Sequence, residues 1–249
     1  MKPDVKIHTK DNHIIYGKLT KAKPKSDKLI IVVHGMASHM DEMPYYNTTK
    51  FFPKRGFSVL RFNLYDWRPH ARQLMDCTIR THASDLAHVV SRMRKKGFRK
   101  IFLTGHSYGG PTILLSDLKN VDGIVLWDPT DDLKEIWTNK KYLANLIKYV
   151  KSLKSYYGLF GVNILVGKKM RDTDVALGDM TKRVTDVRIP IKFILAGKGI
   201  LVKGGKRYYK NANKPKSIAT IKNAGHSFNE EGAEERLFNE TLKWFRRFS

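Results

Sequence analysis

The sequence predicts an α/β fold: a mostly parallel β-sheet with helices on both faces. Three observations carry that expectation. Short runs rich in Ile, Val, Leu and Phe alternate with stretches in which apolar residues recur every three or four positions. One run, LIIVV at residues 29–33, is apolar at every position, as suits a strand buried on both faces. At residues 103–115 the chain reads LTGHSYGGPTILL, a strand passing through a glycine-rich turn into an apolar helix.

The elements follow in order. Residues 5–8 and 14–19, joined through TKDNH, predict an antiparallel hairpin, and a Lys- and Pro-containing loop at residues 21–28 leads into the 29–33 strand. A helix is expected before FSVLRF (57–62), a second strand. Leu86, Val89, Val90 and Met93 recur at helical spacing, and Gly97 supplies a stop. KIFLT (100–104) feeds the glycine-rich turn, and GIVLW (123–127) is the strand after it. From residue 131 to 186 no strand of the sheet is apparent. Leu143, Leu146, Ile147, Val150 and Leu153 fall on one helical face, with Trp137, Tyr142, Tyr149, Tyr156, Tyr157 and Phe160 nearby. That predicts a helical, aromatic-rich cap over 131–186, inserted into a core formed by 1–130 and 187–249. The sheet resumes at IPIKFILAG (189–197) and SIATI (217–221). A helix over 229–248 closes the chain, its start marked by a capping box from Ser227 to Glu230.

Composition bounds the function. Apolar residues make up 41% and aromatics 11%, enough for a core in a 249-residue chain and too much for a disordered one. The apolar runs fall far short of a bilayer span. The N-terminus MKPDVKIHTK has no apolar stretch, and the one cysteine, Cys77, excludes an internal disulfide; together they set the expectation of a cytoplasmic protein. The 47 Lys and Arg against 23 Asp and Glu give +24. These charges are scattered and form no nucleic-acid-binding motif, so the expectation is no specific nucleic-acid partner and a weak attraction to anionic surfaces. The nine His and one Cys show no zinc spacing, and GKGILVKGG lacks the ending of a phosphate loop, so neither metal nor cofactor is expected.

The turn carries the chemistry. Gly105-His106-Ser107-Tyr108-Gly109 fits G-x-S-x-G, in which a sharp strand-to-helix turn exposes a serine hydroxyl. A serine needs a base, an orienting acid and donors for an oxyanion. His226, in the loop AGHSF, is the only histidine after Ser107 and is the candidate base. The backbone N–H of Tyr108, just after the serine, is one candidate donor. The N–H of Met36 is the other, since HGM (His34, Gly35, Met36) follows the 29–33 strand and Gly35 permits a tight turn. His34 is expected to shape that loop, and His106 to pack.

The order strand–HGM, GHSYGG and AGHSF resembles the α/β-hydrolase superfamily over nearly the whole chain. VVHGMASHMDEMPYY and the placing of the cap are similar to monoacylglycerol lipases, feruloyl-type esterases and serine aminopeptidase-like hydrolases. The resemblance implies an eight-stranded sheet and Ser–acid–His chemistry. It also implies an acid after the strand KFILAG, where this chain has Gly199, and no Asp or Glu occurs anywhere from residue 187 to 229. Asp128, in VLWDPT at the end of the preceding strand, is the candidate replacement. Some members of the superfamily, pancreatic-type lipases among them, carry their acid in a similar place. Asp131, Asp132 or a Ser–His pair without an acid are the alternatives. The reading that follows is a carboxylic ester hydrolase working through an acyl-enzyme on a small-molecule ester. A thioesterase or acyltransferase, a peptidase and a non-catalytic binding protein on the same fold are its rivals.

Overall fold

The computed structural model describes residues 5–140, 144–159 and 163–249. Eight strands form one sheet: β1 (Val5–His8), β2 (Ile14–Thr20), β3 (Lys28–Val33), β4 (Ser58–Phe62), β5 (Lys100–His106), β6 (Gly123–Trp127), β10 (Ile191–Ala196) and β11 (Lys216–Ile221). Their spatial order is β1-β2-β4-β3-β5-β6-β10-β11. β1 and β2 pair antiparallel, as do β2 and β4, and every other pairing is parallel. This is the α/β-hydrolase fold that the sequence predicts.

The fully apolar strands follow from a core on each face. In β3, Leu29, Ile31 and Val33 face one cluster while Ile30 and Val32 face the other. The first cluster is covered by α2 (Ile79–Lys95), α3 (Gly109–Leu115) and α6 (Val202–Asn211), through Leu86, Val89, Val90, Met93, Ile113 and Tyr208. The second is covered by α1 (Tyr45–Phe51) and α7 (Ala233–Arg246), where Tyr45, Leu237, Phe238, Leu242 and Phe245 are buried. A strand facing two layers has no solvent side on which to carry polar residues, which removes the period-two alternation. Gly97 ends α2 in the left-handed region, φ 94°.

Two expectations need correction. The segment between β6 and β10 is not simply helical. It holds α4 (Leu133–Thr138) and α5 (Lys168–Leu177), and also a separate antiparallel sheet of β7 (Ile147–Val150), β8 (Ser155–Leu159) and β9 (Asn163–Gly167). Ile147 and Val150 thus lie in a strand, and Leu146 and Leu153 in the short 3-10 turns on either side. Leu143, Tyr142 and Phe160 lie outside the described residues. The apolar spacing that mimics a helix is shared between two turns and a β-hairpin, and the β-branched and tyrosine content of 147–157 suits strands. The last helix begins at Ala233 rather than residue 229. The Glu230 side chain accepts from Gly225 N–H at 2.7 Å instead of closing a capping box, and Gly232, at φ 69°, takes the cap position. Among the described residues no helix is long and apolar enough to cross a membrane.

Candidate active site

The parallel strands all end at one edge, and the candidate residues gather there. β5 delivers Ser107 with φ 54°, a left-handed conformation that costs a non-glycine residue energy and is held by its surroundings. The turn is possible because its flanks are bare: a Cβ at Gly105 would lie 2.6 Å from Gly109 O, and one at Gly109 would lie 2.5 Å from Val33 O. Ser107 N–H bonds to Trp127 O at 3.0 Å and Thr130 N–H to Ser107 O at 3.2 Å, so the neighbouring β6 tip fixes the turn.

That tip also carries Asp128, fully buried at φ 40°. Its Oδ1 accepts from Ala196 N–H at 3.1 Å, and its Oδ2 lies 2.7 Å from His226 Nδ1. A carboxylate can only accept, so Nδ1 carries the imidazole hydrogen and Nε2 is left basic. The alternatives are occupied elsewhere: Asp131 pairs with Arg207 at 2.6 Å, and Asp132 caps α4 by accepting from Lys134 N–H at 2.9 Å. At Gly199, where the family resemblance places the acid, a Cβ would come within 3.1 Å of Asp128 Oδ2. The two positions converge on one spot.

Ser107 and His226 line one cavity of about 180 Å³ with Met36, Tyr108, Thr130, Ile136, Ile200 and Leu201. Met36 and Tyr108, the candidate oxyanion donors, thus flank Ser107. Thr130 Oγ1 lies 3.5 Å from Ser107 Oγ and is a wall residue that no sequence pattern marks. His34 braces the loop that carries Gly35 and Met36. It is fully buried, its Nδ1–H is 2.8 Å from Gly35 O, and its Nε2 accepts from Leu64 N–H at 3.0 Å. Burial pushes its titration down to about 4, which keeps it neutral.

His106 packs, as expected, and also acts as a strut. Its Nε2 lies 2.8 Å from the His226 carbonyl, which can only accept, so Nε2 carries the hydrogen. Nδ1 therefore accepts from Tyr45 Oη at 2.8 Å, and Tyr45 Oη in turn accepts from Gly35 N–H at 3.2 Å. The chain Gly35–Tyr45–His106–His226 joins three loops of the site. Burial first, and the nearby His226 second, push His106 down to about 3, so no proton disrupts it at neutral pH. Tyr45→Phe is expected to leave Gly35 N–H and His106 Nδ1 without their buried partner and to cost about 1–3 kcal/mol, read as a lower urea midpoint with an unchanged slope.

A second buried group ties α4 and α5 to the turn. Asp174 on α5 is fully buried and accepts from Tyr108 Oη at 2.8 Å and from Trp137 Nε1 at 2.9 Å. Burial pushes its carboxyl up to about 7, and the two donors only partly oppose the shift. The folded chain therefore holds a proton that the unfolded chain releases near pH 4. Stability attributable to this group falls as pH rises from about 4 to 7 and is flat above. Asp174→Asn is expected to lower stability at every pH and to flatten that slope. The wild-type loss between pH 5 and 8 should exceed the variant's by on the order of 1–3 kcal/mol in urea titrations.

Among the described residues no group of His, Cys, Asp or Glu could hold a metal ion. The comparisons with known proteins agree with this architecture. A search of curated protein sequences finds no match. Among solved structures, Est1E from Butyrivibrio proteoclasticus with bound ferulic acid superposes with a TM-score of 0.83 at 16% identity, over 98% of each chain. A Pyrococcus furiosus esterase gives a TM-score of 0.73 at 19% identity, over 100% of this chain and 93% of that one. A Paleococcus ferrophilus monoacylglycerol lipase gives 0.68 at 17%, over 94% and 99%. The model of the family "Serine aminopeptidase, S33" matches residues 24–175, more than half of the chain, and the protein belongs to that family of α/β-hydrolases.

Proposed function

We propose that the protein hydrolyses carboxylic esters through an acyl-enzyme on Ser107. The observation that carries the reading is the 2.7 Å contact of buried Asp128 with His226, in a cavity that His226 shares with Ser107. With its Nδ1–H given to Asp128, His226 has Nε2 available to take the Ser107 proton as Oγ attacks the acyl carbonyl. Asp128 fixes the tautomer and stabilises the imidazolium that forms. The N–H groups of Met36 and Tyr108 hold the oxyanion. Collapse of the tetrahedral intermediate expels the alcohol, which takes the proton from His226. Water, activated by the same nitrogen, then releases the acid and regenerates Ser107.

The cavity supports a narrower substrate class. Its walls are mostly apolar, and about 180 Å³ is below the range of pockets that enclose drug-sized ligands. A short apolar acyl group fits that space. The test is a p-nitrophenyl ester series from acetate to palmitate, with the optimum expected at short chains. Turnover of every member at the level of the Ser107→Ala background would overturn the proposal.

A further inference from the structure

Nine large apolar side chains are exposed among the described residues: Met43, Tyr46, Trp67, Met75, Leu146, Tyr149, Leu153, Leu159 and Ile200. Their distribution is not random. Met43 and Tyr46 follow β3, Trp67 and Met75 follow β4, the four from Leu146 to Leu159 follow β6, and Ile200 follows β10. Each lies beyond the C-terminal end of a parallel strand, at the edge where Ser107 emerges. None lies on α2 or α7 or at the opposite edge. Trp67 is 77% and Ile200 62% exposed, and Ile200 also lines the Ser107 cavity. Trp67 and Met75 line a groove with Ile164 and Leu165 of β9, the strand that pairs with β8, and Glu42 and Asp66 also line it.

The charge of this region is one-sided. Residues 144–159, which span the hairpin, hold three Lys and no Arg, Asp or Glu, while Lys168 and Arg171 beyond it pair with Asp172. Lys148, Lys151 and Lys154 are exposed on the hairpin between exposed Leu146, Tyr149 and Leu153. Lysines interleaved with aliphatic and tyrosine side chains fit a surface that is anionic in its outer layer and apolar just beneath it. A nucleic acid would satisfy the lysines but would leave the leucines in water. We infer that this face, built by the β7–β8 hairpin and the exposed apolar rim of the site, docks on an anionic lipid surface. Docking turns the mouth of the Ser107 cavity toward the lipid. The inference does not depend on the catalytic reading, since it concerns partition and not turnover.

Co-sedimentation with phosphatidylglycerol/phosphatidylcholine vesicles, compared with pure phosphatidylcholine, tests it. The protein is expected to bind the anionic vesicles, and to bind them less well as salt is raised. Lys148→Glu/Lys151→Glu/Lys154→Glu should lower the partition constant at least about tenfold. Leu146→Ser/Leu153→Ser should weaken binding at high salt, where the apolar contribution dominates. Both variants should keep the wild-type far-UV circular dichroism and thermal midpoint, which separates lost docking from lost fold even if no ester is turned over. A charge-matched control at the opposite edge, Lys95→Glu/Lys96→Glu/Lys119→Glu, should bind nearly as the wild type does. Equal loss in the control would overturn the docking face in favour of net charge alone. So would failure to bind vesicles, or binding of RNA through Lys148, Lys151 and Lys154 with vesicles ignored.

Discussion

Ser107→Ala is expected to lower kcat on the best p-nitrophenyl ester by about 10⁶-fold with little change in stability. The side chain makes no strong structural bond: its Oγ is 3.5 Å from Thr130 Oγ1, and the turn is held by backbone contacts to Trp127 and Thr130. Alanine keeps those contacts and tolerates φ 54° about as poorly as serine does, so the thermal midpoint should stay within about 2 °C. The loss must then come from chemistry. Thr130 Oγ1, 3.5 Å away on the β6 tip rather than on the turn of Ser107, is not expected to take over. Retention of more than about one part in a thousand of the turnover, with a confirmed fold, would remove Ser107 from the reaction.

Asp128→Asn is expected to cost about 10⁴-fold in kcat. The amide oxygen can still accept from Ala196 N–H, so the local fold survives. The amide nitrogen, however, would face His226 Nδ1 as a donor. The imidazole would then carry its hydrogen on Nε2 and could no longer accept the serine proton. The effect is therefore on kcat more than on KM. The double variant Ser107→Ala/Asp128→Asn should be no slower than Ser107→Ala alone, since groups that act as a unit are not additive. Near-normal turnover of the single variant would return the acid's role to another group.

Much of the candidate site is legible in the sequence because its parts are local at three places. Ser107 and Tyr108 belong to one turn, Met36 to another, and His226 is singled out by being the sole histidine after the serine. Asp128 could be picked out because residues 187–229 hold no acid at all. What could not be read is what depends on distant pairs. Tyr45 and His106 are 61 positions apart, Tyr108 and Asp174 are 66 apart, and neither pair has a spacing that a motif could encode. The β7–β8 hairpin was hidden for a different reason. Apolar residues at positions 146, 147, 150 and 153 satisfy a helical period whether or not a helix forms, and only the pairing with 155–159 decides.

The convergence of Gly199 and Asp128 bears on how such a site could change over time. β6 and β10 are adjacent, with Trp127 beside Ile194, so the residue just past either tip can address the same imidazole nitrogen. On the proposed mechanism, positions 128 and 199 are then two seats for one carboxylate. They cannot be filled together at no cost, since a side chain at position 199 would start 3.1 Å from Asp128 Oδ2, and two carboxylates that close resist being ionised at once. A lineage that moves its acid from one seat to the other must therefore cross either a weakened dyad or a proton-sharing pair. A search pattern that demands the acid on the later strand would pass over a chain that carries it at position 128.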